Sequence, residues 1–245
     1  RGSQIRKAFV PRNEDYTLLS ADYSQIELRI IAALSEEDHM IEAFLEGQDI
    51  HRSTAAKVFG VPLEAVTKEQ RSHAKTVNFG IIYGVSAIGL SQQTSLTRSQ
   101  SKELIDTYYQ TYPKLKGYIE KQIAFAREHG YVQTLLGRRR YLPDVYSRNQ
   151  VVRGAAERNA VNAPIQGSAA DIIKIAMVRI AQRLEKECLA TRMLLQVHDE
   201  LLFDVPKAEL ELVTPLIREE MQQAYRLSVP LIVEIGTGNN WLEAH

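Results

Sequence analysis

The stretch "MLLQVHDELLFDV" (residues 193–205) predicts a β-hairpin, because two apolar runs flank a short polar segment. The runs, 193–197 and 201–205, are rich in residues that suit a pleated, half-buried surface. Three polar residues stand between them: His198, Asp199 and Glu200. These residues alone leave two interpretations open, a solvated turn or a pair of carboxylate ligands for a hard cation such as Mg²⁺. The metal interpretation needs a second acidic position elsewhere in the chain.

A second stretch, "YTLLSADYSQIELRIIAALS" (residues 16–35), changes from a strand pattern to a helical one. Residues 17–21 predict a short strand, and apolar residues then recur at helical spacing. Asp22 therefore lies at the carboxyl end of a strand, just before a helix. Ser24 and Glu27 have the S-x-x-E spacing of a capping box, which gives Glu27 a structural explanation but leaves Asp22 unexplained.

The remaining sequence predicts helices between these strand-bearing ends. Residues 36–128 are mostly helical in pattern, and "YVQTLLGRRRYL" (131–142) predicts a second hairpin. The predicted helix breaks are Gly60-Val61-Pro62, the Gly84–Gly89 region and Pro113, and the hairpin turns near Leu136-Gly137. We therefore expect an α+β fold in which a helical block is inserted between strands.

The second half of the chain predicts a helix from about residue 150, interrupted at Pro164 and Gly167. Ser168 and Asp171 form a further capping box that would open the next helix. A helix over about 207–226 and a final strand, "PLIVEIG", complete the chain.

Composition is that of a globular protein with an ordinary core. The 245 residues are 44% apolar and 24% charged, and no apolar run approaches the roughly 18 residues that a membrane span needs. A single cysteine, Cys188, excludes an internal disulfide and suits a reducing compartment. We expect a cytoplasmic protein that does not enter a membrane.

The distribution of charge is more informative than its total. Thirty basic residues balance thirty acidic ones, but six arginines lie between Arg138 and Arg158 against two acids. Such a cluster would suit a phosphate backbone, although an ordinary solvated cluster remains an equal alternative.

The segment "RSHAKTVNFGIIYG" (residues 71–84) predicts a helix with two cations and two aromatic rings in one stripe. These residues are spaced by four: Arg71, Lys75, Phe79 and Tyr83. Cations bind phosphates and aromatic faces stack on bases, so a nucleoside triphosphate would fit along the stripe. The alternative is two solvated cations with two core aromatics.

A second polar set, Arg158, Asn162 and Gln166, is spaced by four and shares one helix face. Hydrogen-bond donors on one face would grip the minor groove of a duplex without reading its sequence. Together with carboxylates that converge on two metal ions, these features predict a template-directed nucleotidyl transferase. Two adjacent metals would stabilise the attacking and leaving oxygens of an in-line phosphoryl displacement.

Three motifs in this order resemble the signature motifs of the bacterial DNA polymerase I family, family A: "DYSQIELR", "RSHAKTVNFGIIYG" and "VHDE". "DIHRSTA", "GRRRYLPD" and "NAPIQGSAADIIK" are also similar, and the resemblance covers essentially the whole chain. It implies an antiparallel-sheet palm from residues 1–44 and 151–245 and helical fingers from 45–150. It also implies that a thumb and an earlier palm segment lie upstream, so we expect this chain to be a fragment.

The resemblance implies a role for each matching residue. The metal ligands would be Asp22, Asp199 and the Tyr23 carbonyl, and the catalytic group would also include Glu200 and Lys75. The dNTP-binding residues would be Tyr23, Gln25, Glu27, His51, Arg71, Lys75, Phe79 and Tyr83. The DNA-binding residues would be Arg158, Asn162, Gln166 and His198.

The activity implied is 5′-to-3′ DNA synthesis in replication or repair, in which a DNA-directed DNA polymerase transfers a nucleotide from dNTP to a primer 3′-hydroxyl and releases pyrophosphate. The resemblance implies two Mg²⁺ ions, for which Mn²⁺ would substitute, with primer–template DNA and dNTPs as partners of a monomer. A phage-type RNA polymerase is one alternative, and Glu27 argues against it because a glutamate there would crowd a 2′-hydroxyl. A catalytically silent duplex-binding module is the other, which intact Asp22 and Asp199 disfavour.

Overall fold

The computed structural model describes residues 2–245, which divide into two compact units. We call residues up to 26 together with 169–245 the sheet unit, and residues 27–168 the helical unit. The helices are α1 (Ile26–Ser35), α2 (Asp38–Leu45), α3 (Ile50–Phe59), α4 (Lys68–Ile82), α5 (Ala87–Gln93), α6 (Arg98–Thr111), α7 (Pro113–His129), α8 (Gln150–Lys186), α9 (Leu210–Gln222) and α10 (Trp241–Ala244). The strands are β1 (Tyr16–Tyr23), β2 (Tyr131–Gln133), β3 (Arg139–Tyr141), β4 (Arg192–Val197), β5 (Glu200–Pro206) and β6 (Val233–Gly238). Short 3₁₀ segments occupy Gly2–Ala8, Leu63–Ala65, Pro143–Tyr146 and Lys207–Glu209.

The sheet unit is built on an antiparallel sheet of strand order β4-β5-β1-β6. The predicted hairpin of residues 193–205 is confirmed as β4 and β5, and the strand predicted at 17–21 is confirmed as the longer β1. Strand β1 is central and almost wholly buried, since Leu18, Leu19 and Ala21 have no exposed surface. The α+β class with an antiparallel sheet is confirmed. This sheet places the end of β1 beside the loop between β4 and β5.

Apolar packing holds the C-terminal helix against the sheet. Trp241 and Ala244 of α10 form one buried cluster with Leu18 of β1 and Leu202 of β5. The indole therefore covers the same strands that end at the acidic residues, and its burial fixes the position of α10 in this unit.

The helices of the helical unit begin and end at local signals that the sequence contains. Gly60 ends α3 with a left-handed φ of +64°, and Thr67 forms a capping box with Gln70 at the start of α4. Pro113 is the first residue of α7, where its missing N–H costs nothing. The predicted breaks are thus confirmed, as is the hairpin of β2 and β3, in which Gly137 has a φ of +78°.

The predicted interruption at Pro164 and Gly167 is wrong, because α8 runs unbroken from 150 to 186. Ser168 does not cap a new helix, since its hydroxyl donates to the Pro164 carbonyl at 2.5 Å, within the helix. Ala163, Pro164 and Ile165 are buried, so the packing of this turn offsets the hydrogen bond that proline removes. Tertiary packing here overrides a local helix-breaking signal.

Smaller differences concern element ends. Helix α9 covers 210–222 rather than about 207–226, because its predicted first residues form a 3₁₀ turn. Strand β6 begins at Val233, after Pro230, which lacks the N–H that a strand ladder uses.

The predicted palm and fingers boundaries at 44 and 150 differ from the unit limits at 26 and 168, and this functional division stays a prediction. Among residues 2–245, no helix is both long and apolar enough to cross a membrane.

Candidate active site

Two aspartates lie next to each other where β1 ends and the β4–β5 loop turns. Asp22 pairs with Glu200 across the sheet, and the carbonyl of Asp199 accepts a hydrogen bond from the Tyr23 N–H at 3.2 Å. Burial, together with the negative charges of Asp199 and Glu200, raises the pKa of Asp22 to about 6. Burial also raises the pKa of Asp199. The sheet therefore holds two carboxylates in a place where their charges are costly.

Backbone strain surrounds this pair. The loop between β4 and β5 has only two residues, and its first, His198, has a left-handed φ of +54°. Gln25, just after β1, has a φ of +57°. Such conformations cost a non-glycine residue roughly 1–3 kcal/mol each and concentrate at functional sites. The Gln196 side chain donates to the His198 carbonyl at 2.8 Å, which holds the tight loop in place.

The third acidic residue, Glu200, is tied into the protein. Its Oε1 accepts hydrogen bonds from the Ser20 hydroxyl and the Trp241 indole N–H, both at 2.6 Å. Its Oε2 lies 3.7 Å from Arg6 Nη2 and 3.4 Å from His245 Nδ1. The side chain is 3% exposed. This arrangement fits the supporting role predicted for Glu200, which anchors α10 and adds negative charge beside Asp22.

The aspartate pair fits divalent cations. Asp22 Oδ1 is buried without a hydrogen-bond partner, although buried polar atoms normally have one. A cation would satisfy that oxygen and remove the repulsion between the two carboxylates. No group of three or more His, Cys, Asp and Glu side chains in residues 2–245 is arranged to hold a metal. Mg²⁺ does not need one, because it is usually held by one or two carboxylates together with waters and phosphate oxygens.

Tyr23 contributes its backbone to this place and its ring to the core. The side chain is 2% exposed and its hydroxyl donates to the Met221 carbonyl at 2.7 Å. The ring therefore fixes the end of β1 against α9, while the main chain stays beside Asp199. A predicted metal ligand that uses only its carbonyl is compatible with this burial.

In the helical unit, the predicted stripe lies on the solvent side of α4. Arg71, Lys75 and Tyr83 are exposed and Phe79 is half-buried. The opposite face of α4 carries the buried residues His73, Ala74, Val77, Asn78, Ile81 and Ile82. The alternative that both aromatics belong to the core is wrong for Tyr83, which is 42% exposed. The exposed side of α4 therefore presents two cations and an aromatic ring to a ligand.

Asp49, which was not predicted from the sequence, organises the cationic end of this stripe. Its Oδ2 lies 2.6 Å from Arg71 Nε, while its Oδ1 accepts from the backbone N–H groups of His51 and Arg52 at the start of α3. This contact uses Nε and leaves the terminal guanidinium N–H groups for another anion. The available sequence signal was an N-cap aspartate immediately before a helix.

His51 lies beneath the stripe, with its ring centre 5.5 Å from that of Phe79. Its side chain is buried, which lowers the pKa of His51 to about 4 and makes it neutral at pH 7. Asn78 Nδ2 lies 3.0 Å from its Nδ1. Asn78 was also not predicted; a polar residue on the buried face of a predicted helix was the available signal.

Glu27 and Tyr83 are in contact although 56 positions apart: the Tyr83 hydroxyl donates to Glu27 Oε2 at 2.7 Å. Helix α1 begins at Ile26, so Glu27 is its second residue rather than the third after a cap at Ser24. The Glu27 carboxylate is thereby linked to the aromatic end of the stripe, which a capping box does not explain.

The predicted duplex-binding face is on α8. Arg158 and Gln166 are exposed, and the half-exposed Asn162 has a buried Oδ1 without a partner. A Cβ on Gly84 would lie 2.6 Å from Arg158 Cγ, so the arginine stem packs directly on the backbone after Tyr83. Within the helical unit, the nucleotide stripe and the duplex face are thus neighbours.

The arginine cluster continues this surface. Arg138, Arg139 and Arg140 line a cleft of about 140 Å³ with Gln166 and Gly167. Arg138 donates to the Gly167 carbonyl at 3.0 Å. A cleft with several guanidinium groups suits phosphate oxygens.

The predicted site residues thus form two groups. The sheet unit contains Asp22, Tyr23, Gln25, His198, Asp199 and Glu200. The helical unit contains Glu27, His51, Arg71, Lys75, Phe79, Tyr83, Arg158, Asn162 and Gln166.

Comparisons with known proteins agree with these motifs. The profile of DNA polymerase family A matches residues 1–243. The chain is 51% identical to DNA polymerase I of Streptococcus pneumoniae and 51% identical to that of Pseudomonas aeruginosa, in each case over 100% of this chain. It spans 28% and 27% of the length of those relatives.

A solved structure is similar as well. The POL domain of Pol1 from M. smegmatis, in complex with DNA primer-template and dNTP, matches with a TM-score of 0.94 and 48% identity. The match covers 99% of this chain and 43% of that one.

Proposed function

The chain belongs to DNA polymerase family A, and on that premise we propose that it catalyses template-directed 5′-to-3′ DNA synthesis. In this reaction a nucleotidyl group passes from a dNTP to a primer 3′-hydroxyl and pyrophosphate is released. The observation that carries the proposal is the half-buried Asp22–Asp199 pair, in which Asp22 Oδ1 has no hydrogen-bond partner and both carboxylates have a raised pKa, so the pair calls for cations. The related Pol1 domain bound to DNA primer-template and dNTP supports the choice of substrates.

Family A polymerases use divalent metal ions. We assign two Mg²⁺ ions, replaceable by Mn²⁺, to Asp22, Asp199 and the Tyr23 carbonyl. When bound, such ions stabilise charge on the attacking and leaving oxygens. The two aspartates hold negative charge at fixed positions, and Glu200 supports them from its hydrogen bonds to Ser20 and Trp241.

The α4 stripe would bind the nucleotide. Arg71 and Lys75 are exposed cations that pair with a triphosphate, and His51 adds a neutral contact. Lys75 also carries a proton that it can donate to the departing pyrophosphate. Phe79 and Tyr83 would pack on the sugar and near the templating position, and Gln25 and Glu27 would line the sugar side.

The DNA would lie along α8. Arg158, Asn162 and Gln166 offer donors to minor-groove acceptors that A·T and T·A pairs share, which suits a polymerase that must accept every sequence. His198 would face the primer terminus. The arginine cleft at 138–140 would contact backbone phosphates.

The wider organisation is also a proposal. We assign residues 1–44 and 151–245 to the palm and 45–150 to the fingers, with the thumb outside this chain. We propose a cytoplasmic monomer that serves DNA replication or repair as part of a longer polymerase.

Primer extension with Mg²⁺ tests the function. Asp22→Ala and Asp199→Ala should each reduce single-nucleotide incorporation by at least 100-fold, since metal-ion stabilisation of the transition state is worth several kcal/mol, about tenfold per 1.4 kcal/mol. Both variants should still bind duplex DNA. Glu234→Ala is the matched control, because Glu234 is an exposed carboxylate paired opposite Asp22 on β6.

Two outcomes would contradict the proposal. Activity within tenfold of wild type in either aspartate variant would remove the two-metal assignment. Duplex binding by the wild-type chain with no incorporation, both alone and when supplied with its upstream thumb region, would favour the catalytically silent binding module.

A further inference from the structure

We propose that a buried hydrogen-bond chain, from Tyr112 through Thr54 and Asn78, holds the His51 imidazole in the tautomer protonated on Nε2. Asn78 and Tyr112 are then positioning residues, and His51 presents a neutral N–H donor to a nucleotide phosphate. The tautomer follows from the structure of the helical unit alone. Its use on a phosphate rests on the proposed function.

The hydrogen-bond chain consists of four polar side chains that are almost completely shielded from water. The Tyr112 hydroxyl lies 3.0 Å from Thr54 Oγ1, which lies 3.2 Å from Asn78 Oδ1 and 3.1 Å from Asn78 Nδ2. Asn78 Nδ2 lies 3.0 Å from His51 Nδ1. Tyr112, Thr54 and Asn78 have no exposed surface, and His51 is 3% exposed. Their hydrogens must therefore find acceptors within the chain.

The direction of the chain follows from the terminal tyrosine. Thr54 Oγ1 is the only partner described for the Tyr112 hydroxyl, so the buried tyrosine proton must go to Thr54. The Thr54 hydroxyl has one proton of its own, which then goes to Asn78 Oδ1. With Oδ1 accepting, the Asn78 amide presents its N–H₂ group to His51. Asn78 Nδ2 donates to His51 Nδ1, which therefore carries no proton.

The opposite direction leaves a buried donor without a partner. If His51 Nδ1–H donated to Asn78, the amide would be turned over, with its oxygen facing His51 and its N–H₂ group at the position of Oδ1. Thr54 Oγ1, at 3.2 Å, is the only partner described for that position and can accept one of the two amide hydrogens, so the other would have no acceptor among the described residues. An unmade hydrogen bond of this kind disfavours that tautomer by roughly 5- to 150-fold.

The other ring nitrogen is placed for a ligand. His51 Nε2 takes part in none of the hydrogen bonds described, and it is not among the fully buried atoms that lack a partner. Burial lowers the pKa of the ring, and the charges of Arg71 and Lys75 lower it as well while that of Asp49 opposes them, which supports a neutral imidazole at pH 7. A neutral Nε2–H donates to a phosphate oxygen, whereas an unprotonated Nε2 would direct a lone pair at it.

Selective ¹⁵N labelling of histidine in the whole chain tests the tautomer. The chain has six histidines, and the His51 signals are identified by their loss in His51→Gln. At pH 7, we expect long-range ¹H–¹⁵N correlation spectra to show His51 with a protonated Nε2 and an unprotonated Nδ1. Thr54→Val and Tyr112→Phe each break the hydrogen-bond chain. The ratio of the tautomer protonated on Nε2 to the tautomer protonated on Nδ1 should therefore fall by at least fivefold.

Matched controls separate this effect from general disturbance. Tyr108 is the control, because its ring centre lies 4.8 Å from that of Tyr112 and its hydroxyl takes no part in the hydrogen-bond chain described above. Tyr108→Phe should therefore leave the His51 signals unchanged. Asn78→Asp places an acceptor opposite Nδ1 and should protonate it. A wild-type His51 protonated on Nδ1, or equal spectra for wild type, Thr54→Val and Tyr112→Phe, would overturn the proposal.

Titration with dATP separates the inference from the function on which it rests. Binding should shift the wild-type Nε2–H signal, and Tyr112→Phe should weaken dATP binding at least twofold while Tyr108→Phe does not. If Arg71→Ala weakens dATP binding tenfold but the His51 signals never respond, the phosphate contact is wrong and the triphosphate site stands. If Arg71→Ala also leaves dATP binding unchanged, the proposed triphosphate site itself fails.

Discussion

Replacing Glu27 by alanine should change which sugar the protein accepts. The Glu27 carboxylate accepts a 2.7 Å hydrogen bond from Tyr83, so it is held at the aromatic end of the α4 stripe, where the nucleotide sugar is proposed to lie. On the proposed function, a carboxylate fixed there would fill the volume that a ribose 2′-hydroxyl needs. Glu27→Ala removes that volume and should raise the use of ribonucleotides.

The size of the effect follows from the steric cost. Overpacking a closed site costs roughly 1–3 kcal/mol, which corresponds to about 5- to 150-fold. The quantity to measure is the ratio of kcat/KM for dNTP and rNTP of the same base, in single-nucleotide incorporation on one primer–template. This ratio should fall by at least fivefold in Glu27→Ala. Glu42→Ala, an exposed glutamate on α2, is the control and should not change it.

Tyr83→Phe sharpens the test because it keeps Glu27 and removes only the hydroxyl that holds it. The Glu27–Tyr83 pair is partly exposed, so the fall in the ratio of kcat/KM for dNTP and rNTP should be smaller in Tyr83→Phe than in Glu27→Ala. The double variant should match Glu27→Ala alone, because both changes act through one carboxylate. An unchanged sugar ratio in Glu27→Ala, accompanied by a lower melting temperature, would refute the steric argument and leave Glu27 as a residue that stabilises the start of α1.

Three further predictions follow from the helical unit. Lys75→Ala should weaken dNTP binding by roughly 1.5–3 kcal/mol and slow single-turnover incorporation, because it removes a charge-assisted contact; Lys68→Ala on the same helix is the control, and equal kinetics would contradict the role. Burial lowers the pKa of His51 to about 4, so the unfolded chain takes up the proton first as pH falls. The free energy of unfolding should therefore fall by up to about 3 kcal/mol between about pH 6.5 and 4. Urea titrations across this pH range should show that the free energy of unfolding depends less steeply on pH in His51→Asn than in the wild type. An equal pH dependence in the two proteins would count against a buried neutral histidine. Glu37 accepts from the first backbone N–H groups of α7 at 2.9 and 3.4 Å, so Glu37→Ala should lower the free energy of unfolding by roughly 1–2 kcal/mol, judged from the loss of helix caps. Glu42→Ala should leave it unchanged, and an equal loss in both variants would exclude the cap.

Local patterns predicted the elements that carry the site. The apolar runs of 193–197 and 201–205 are long enough to specify strands, and the acidic residues between them leave only a tight loop. Strand β1 ends at Tyr23, one residue after Asp22, because the strand pattern stops shortly before helical spacing begins at Ile26. The sequence pattern by itself therefore places both aspartates at strand ends.

Interactions between distant residues could not be predicted in this way. Tyr83 and Glu27 lie on different helices, and nothing in either local pattern selects one as the partner of the other. The unbroken course of α8 through Pro164 depends on the buried environment of that turn, which sequence rules for proline do not contain. Local signals thus predict the elements, and packing decides which breaks are tolerated and which side chains meet.

Asp22 and Glu200 show why residue type alone does not separate a ligand from a support. They lie opposite each other on β1 and β5, and both are carboxylates in a shielded environment. The longer Glu200 side chain reaches Ser20 and Trp241, which satisfy Oε1 from within the fold. Asp22 is left with a buried oxygen that the described residues do not satisfy. Because an unpaired buried acceptor is costly, the fold stabilises Glu200 by itself, whereas Asp22 would be completed by the cation proposed for it. The two proposed roles therefore differ in the supply of hydrogen-bond donors around each carboxylate. Single-nucleotide incorporation should fall far less in Glu200→Gln than in Asp22→Asn.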